Sequence, residues 1–219
     1  MKRKLDKFLL VAGYALAIGG GLFGAYYTYN WWEQRNASAP ENIIGLPKVD
    51  VEFSTDGNTV KFTKLPEPGT EFARIHIDKL NIHLPIKEGP DVSGMSRKEQ
   101  EKAGEVHLAK SAMHIKGYPW PGEIGNSLLG GHNNVTLKGF KNLSNIQKGD
   151  KIRIDYSSFH VIYEVSKDGW IVDKYDQSVM SFQTDEPILR LITCYPFDER
   201  GNAPQRYIVE AKLIERVKN

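Results

Sequence analysis

From Phe8 to Trp32 the chain runs 25 residues without a charged side chain. As a helix that run is roughly 37 Å long, enough to cross a hydrocarbon core of about 30 Å. It has no polar face, which a surface helix of a globular domain requires. Its glycines, Gly13, Gly19, Gly20, Gly21 and Gly24, are common in membrane helices. Tyr26, Tyr27, Tyr29, Trp31 and Trp32 gather at one end, as an interfacial belt does, and Lys2, Arg3, Lys4 and Lys7 stand at the other. Ala37-Ser38-Ala39 has the small-x-small form of a signal-peptide cleavage site. The apolar run exceeds the usual 7–15 residues of a cleaved signal, however, and Pro40 follows the cut directly. The expectation is an uncleaved signal-anchor: 1–7 a cytoplasmic basic flank, 8–32 a transmembrane segment, 33–69 an extracellular linker and 70–219 a folded domain on the outer face of a cell membrane.

The chain carries a net charge of +2, and residues 1–32 hold +3, which leaves −1 for the rest. No basic domain remains for nucleic acid. A domain of about 150 residues buries about 68–70% of its chain surface, so the outer part needs no staple. Asn36, Ser38, Pro40, Asn42, Pro47, Asp56-Gly57-Asn58, Pro66, Pro68 and Gly69 break any pattern across 33–69, with Val60 to Leu65 as a short strand. Period-2 alternation then predicts strands at Ala73–Ile77 and Ile82–Ile86. Residues 96–115 read as a helix with Ser96 as N-cap and Glu99 completing a capping box, weakened or split at Gly104. After a Gly/Pro-rich stretch at 117–126, strands are expected at 127–129, 151–156, 159–165, 170–173, 188–194 and 206–214. Many short strands with one or two short helices predict a mainly β fold, a closed barrel or a sandwich.

The chain has one cysteine, which excludes an intrachain disulfide, a multi-cysteine zinc site and an iron–sulfur cluster. In an exported protein an unpaired cysteine is either buried and inert or kept for its reactivity. Cys194 ends the apolar run Leu189-Arg190-Leu191-Ile192-Thr193, and Pro196 stops strand pairing just beyond it. A strand end holds a side chain rigidly while opening it to substrate. A thiol nucleophile needs a base, and a donor array for the oxyanion. Of six histidines, His76 and His83 fall in the polar phase of their strands. His107 and His114 lie seven apart on the expected helix, too far for a shared metal. His160 sits mid-strand. His132 follows a strand directly after Gly130-Gly131, where glycines permit a sharp turn and a close chain approach. For the cation, Arg190 shares a strand face with Cys194, and Arg206 opens the last strand. Arg200, in the loop between, reads as solvated. The residues alone leave Arg190 and Arg206 both open.

Leu191-Ile192-Thr193-Cys194 resembles the Leu-x-Thr-Cys signature of sortases, the cysteine transpeptidases of Gram-positive cell surfaces. Gly131-His132 is similar to the family's Gly-His step, and Arg206 in Ala203-Pro204-Gln205-Arg206 matches its arginine. Pro121-Gly122-Glu123-Ile124-Gly125-Asn126 and Lys148-Gly149-Asp150 are similar as well. The resemblance spans about residues 70–216 and implies an eight-stranded barrel behind the N-terminal signal-anchor. It further implies that Cys194, His132 and Arg206 are catalytic, with Thr193 a candidate for substrate contact. The substrate would be an exported protein bearing a C-terminal Leu-Pro-x-Thr-Gly or Leu-Pro-x-Thr-Ala signal. The acceptor would be an amine of a peptidoglycan precursor. No cofactor and no metal are expected. Some members use calcium, but no residue here is carried over to such a site.

Cys194-Tyr195-Pro196-Phe197 followed by Ala-Pro-x-Arg resembles the class D branch. Arg190 departs from the threonine common there, leaving a second cation near the site, and Asn133-Asn134 is an unusual continuation after the histidine. Pilin-polymerising members add a C-terminal span and an Asp-Pro-aromatic lid. Tyr118-Pro119-Trp120 lacks that aspartate, and Glu215 to Asn219 is polar. The non-enzymatic alternative is a surface-anchored binding module with a buried, inert Cys194.

Overall fold

In Phe159–Val165 and Pro187–Tyr195, alternating buried and partly exposed residues set one face of the strand toward the interior. A computed structural model describes residues 46, 49–53, 60–64, 66–108, 111–133, 139–176, 178–181, 184–197 and 203–218, all within the unit Pro40–Asn219. The expected span Phe8–Trp32 and Ala37–Ala39 lie outside the described residues. Among the described residues, no helix is long and apolar enough to cross a membrane. In chain order the elements are β1 (Val51–Phe53), β2 (Val60–Phe62), β3 (Glu71–Ile77), β4 (Ile82–Glu88), α1 (Arg97–Leu108), β5 (Ala112–His114), β6 (Gly125–Gly130), β7 (Lys151–Asp155), β8 (Phe159–Val165), β9 (Trp170–Asp173), β10 (Pro187–Tyr195) and β11 (Gln205–Lys218).

The sheet runs β10-β6-β5-β4-β3-β7-β8-β11-β9, and β10 also pairs with β11. That pairing closes eight strands into a barrel and leaves β9 outside it, on the first half of β11. The barrel is mainly β, as expected. Its two parallel pairs are β4–β5 and β6–β10. Ile75, Ile77, Ile86, Leu129, Ile154, Val161, Leu189 and Val209 are buried inside it, each contributing roughly 1.5–3 kcal/mol. Along β10 the phase is legible residue by residue: Leu189, Leu191 and Thr193 are buried, whereas Ile188, Arg190, Ile192 and Cys194 are half-buried on the opposite face.

One expectation is corrected. The helix stops at Leu108, and Ala112–His114, expected as its last turns, forms β5 between β4 and β6. The barrel needs a strand there, and ladder bonds to two neighbours outweigh local helix preference. His107 and His114 therefore do not share a helix face. His114 is buried in β5, with Nδ1 2.8 Å from Glu88 Oε2 and Nε2 3.2 Å from the Pro119 carbonyl oxygen. The helix start behaves as read: the Ser96 N–H and hydroxyl both donate to Glu99 Oε2, at 2.8 and 2.6 Å. Gly104 does not split the helix.

In the stretch read as linker, β2 falls within the short strand expected from Val60, and it pairs with β1 as a hairpin. Val60 and Phe62 join the core, with the Phe62 ring 4.6 Å from that of Trp120. The Gly/Pro-rich segment is fastened nearby. The Tyr156 hydroxyl donates to the Pro121 carbonyl at 2.7 Å, and the Gly122 N–H donates to the Tyr163 hydroxyl at 2.6 Å. Burial holds both tyrosines well above the usual phenol range. Gly122 has φ +105°, and a Cβ there would lie 2.8 Å from Val60 Cγ2, so no other residue fits.

Candidate active site

Backbone register brings the separated motifs together. Strands β6 and β10 run parallel, with Leu191 beside Leu129 and Ile192 beside Gly130. Carried two residues further, that register sets His132 level with Cys194. The extension is stitched by bonds between 131–133 and 192–194. The Gly131 N–H donates to the Ile192 carbonyl at 3.0 Å. The Thr193 hydroxyl donates to the Gly131 carbonyl at 2.8 Å. The Asn133 amide donates to the Cys194 carbonyl. On the other flank β10 and β11 are antiparallel, and Arg206 stands directly opposite Cys194, so their side chains share a face. Cys194, His132 and Arg206 are each half-exposed.

The two glycines before His132 have distinct tasks. A Cβ on Gly131 would lie 2.5–2.8 Å from ring atoms of the buried Phe140, so the space left open there holds that ring. Gly139 brings the chain back against His132: its Cβ would lie 2.5 Å from the His132 carbonyl oxygen and 2.9 Å from its nitrogen. The Phe140 N–H then donates to that carbonyl at 2.5 Å.

The choice between two arginines is made by their partners. Arg190 stands opposite Glu210, with Nε and Nη2 2.9 and 2.8 Å from Oε2, and Nη1 donates to the Val179 carbonyl at 2.8 Å. Burial pushes the Glu210 carboxyl up, but the hydrogen bond and charge of Arg190, helped by Lys167, outweigh it and hold the group below its ordinary value. The second cation is thus neutralised where it stands. Arg206 spends Nη1 on the carbonyls of Ala203 and Gln205, at 2.9 and 2.8 Å. Among the described residues no carboxylate pairs with it. Arg200 lies outside the described residues.

Thr193 is 2% exposed, with its hydroxyl bound to Gly131 and its side chain on the interior face. The residue ties the His132 segment to β10. Asn133 performs the same task from the other side, and the sequence showed it only as an unusual neighbour of His132. Glu210 was not singled out, although its polar phase beside two buried neighbours was the available signal. Among the described residues, no three side chains of His, Cys, Asp or Glu are grouped to hold a metal. An accessible thiol flanked by an imidazole segment and a guanidinium is an arrangement suited to covalent catalysis on a carbonyl, with donors for an oxyanion.

The sortase-domain family profile matches residues 75–214. Sortase D of Bacillus subtilis (strain 168) is 33% identical over 220 residues, covering 98% of this chain and 100% of its own. Among solved structures, a Sortase D5 transpeptidase of Clostridium perfringens superposes with TM-score 0.54 at 28% identity, over 69% of this chain and 83% of its own. SrtF sortase of Corynebacterium diphtheriae shares the fold, with TM-score 0.59 at 22% identity over 73% of this chain and 92% of its own. With the profile covering more than half of its length and a full-length relative at one-third identity, this chain belongs to the sortases, a family of cysteine transpeptidases.

Proposed function

We propose that this sortase acts on exported proteins bearing a Leu-Pro-x-Thr-Gly or Leu-Pro-x-Thr-Ala-like signal, with Cys194 as nucleophile, His132 as proton carrier and Arg206 as oxyanion or substrate donor. The observation that carries the reading is the register that sets half-exposed Cys194 opposite Arg206 and beside the His132 segment. The Cys194 thiolate adds to the threonine carbonyl, whose oxygen takes the negative charge that Arg206 faces. The C–N bond then breaks, and His132 as imidazolium gives its proton to the departing amine. An acceptor amine adds to the thioester, loses a proton to His132 and expels the thiolate. The acceptor fitting this role is an amine of a peptidoglycan precursor. Phe8–Trp32 would hold the enzyme on the membrane surface where sorting substrate and lipid-linked acceptor both arrive.

The test uses full-length protein with Leu-Pro-x-Thr-Gly and Leu-Pro-x-Thr-Ala peptides, read by mass spectrometry. An acyl adduct on Cys194 that an added amine removes is expected. Cys194→Ala should form none, and His132→Ala and Arg206→Ala should each fall by at least about 100-fold. A folded protein whose thiol alkylates freely but never acylates would overturn the assigned signal. Full activity in Arg206→Ala would overturn the role given to that residue.

A further inference from the structure

The outer face of β6, β10 and β11 is built in rungs. Cys194 and Arg206 share one rung, with the His132 segment alongside. Two residues back along β10, Gly130, Ile192 and Ile208 stand side by side, and two further back come Leu128, Arg190 and Glu210. At about 3.3 Å per residue, Arg190 lies roughly 13 Å from Cys194 on the same face. Leu128 and Ile208 are fully buried although neither belongs to the barrel core, so this face is covered.

The cover includes the 3-10 turn Ser178–Met180, between β9 and β10, whose Val179 is also buried outside the core. Two side chains hold the turn by its backbone. Arg190 Nη1 donates to the Val179 carbonyl at 2.8 Å. The amide of Asn126, buried on β6 opposite Ile188, donates to the Ser181 carbonyl at 3.0 Å and reaches the Val179 carbonyl at 3.4 Å. Glu210 aims the guanidinium, taking Nε and Nη2 on Oε2 at 2.9 and 2.8 Å. It also gathers the chain leaving β8. Its carbonyl accepts the Ser166 N–H at 2.9 Å and the Ser166 hydroxyl at 3.1 Å, and Lys167 Nζ stands 3.5 Å from Oε1. One ion pair thus fastens the chain just after β8 and again at the turn. Between these points lies β9, with Val172 directly opposite Arg206.

We infer that Asn126, Arg190 and Glu210 are positioning residues for acyl transfer: they clamp the turn Ser178–Met180 onto the face that carries Cys194, and so keep a wall for the substrate peptide preformed. The inference rests on the peptide chemistry proposed above. None of the three stands on the catalytic rung. Arg190 and Asn126 act through the backbone of the turn, and Glu210 acts through Arg190. A wall held in place before the peptide arrives spares the complex the cost of ordering it. Where the competent form is only partly populated, apparent affinity falls by that fraction. Loss of the clamp therefore raises KM, while kcat, which belongs to the bound state, stays close to that of the parent.

The test uses full-length protein with both substitutions Arg190→Gln and Glu210→Gln, which removes the two charges together and leaves neither buried without its partner. Asn126→Ala is the second variant. Amine-dependent acyl transfer is measured with the Leu-Pro-x-Thr-Gly and Leu-Pro-x-Thr-Ala peptides. KM for the peptide should rise about tenfold or more, with kcat within about twofold of the parent. The pH profile of Cys194 alkylation by iodoacetamide should not move. Amide hydrogen exchange across Ser178–Ser181 should quicken about tenfold or more. Should the double variant fail to fold, Asn126→Ala decides by the same readings. Unchanged KM with unchanged exchange overturns the clamp, and a fall in kcat at constant KM overturns its assignment to the substrate wall. If neither peptide acylates the parent, the signal assignment fails by itself, and exchange across Ser178–Ser181 decides the clamp.

Discussion

Thr193→Val separates the hydroxyl from the shape of the residue that ties His132 to the nucleophile strand. Valine occupies nearly the same volume, so no cavity opens, but the 2.8 Å bond to the Gly131 carbonyl disappears. Thr193 and Gly131 are both buried, and a buried carbonyl left without its donor costs about 1–3 kcal/mol. For a domain of this size that is a fall in Tm of roughly 2–10 °C. A second effect follows from position. Gly131 precedes His132, and one of three bonds fastening 131–133 to 192–194 is gone. A displacement of about 1 Å at a reacting group costs on the order of 100-fold in rate, so kcat should fall well below what the stability loss predicts at 25 °C. Thermal melts and amine-dependent acyl transfer are measured together, with Thr193→Ser as the control that keeps the hydroxyl. The reasoning fails if Thr193→Val melts and turns over like the parent while Thr193→Ser is the damaged variant.

Gly139→Ala drives a Cβ into the His132 backbone, which no side-chain rotation relieves. It should cost about 1–3 kcal/mol and reduce transpeptidation by more than tenfold. Gly104→Ala, whose Cβ would meet only Met113 Cε at 3.6 Å, should leave turnover unchanged in the same assay. Glu210→Gln tests the Arg190 pairing through pH. The Glu210 carboxyl is held below its ordinary value near 4.5, so just below that value the unfolded chain binds more protons. Its stabilising contribution is full above about pH 4.5 and is lost as pH falls through the lower folded value. Urea unfolding between about pH 3 and pH 6 should show a shallower acid-side decline in Glu210→Gln than in the parent, and parallel curves would refute the pairing as a source of stability.

Much of this architecture is local, and local features are legible in one dimension. Period-2 alternation located β3 and β4, and short runs bounded by turns located β7, β8, β9, β10 and β11. Ser96 and Glu99 announced the start of α1, since a capping box involves only residues three apart. Gly131-His132 and Cys194-Tyr195-Pro196 marked strand ends for the same reason. Where the outcome depended on distant partners, the residues were silent or misleading. Ala112–His114 carries a helix-compatible sequence and became a strand because β4 and β6 offered ladder bonds on both sides. A short strand at Val60 was legible, but not its pairing with Val51–Phe53 or the packing of Phe62 on Trp120 and Tyr156. Arg190 and Arg206 are the same residue type on adjoining strands. Only the register of β10 on β11 set Glu210 against one and Cys194 against the other. The sequence determined which side chains were available for chemistry and which face of each strand they occupied. The closed barrel decided which of them meet, because contacts across strands dozens of residues apart are fixed by the pairing register.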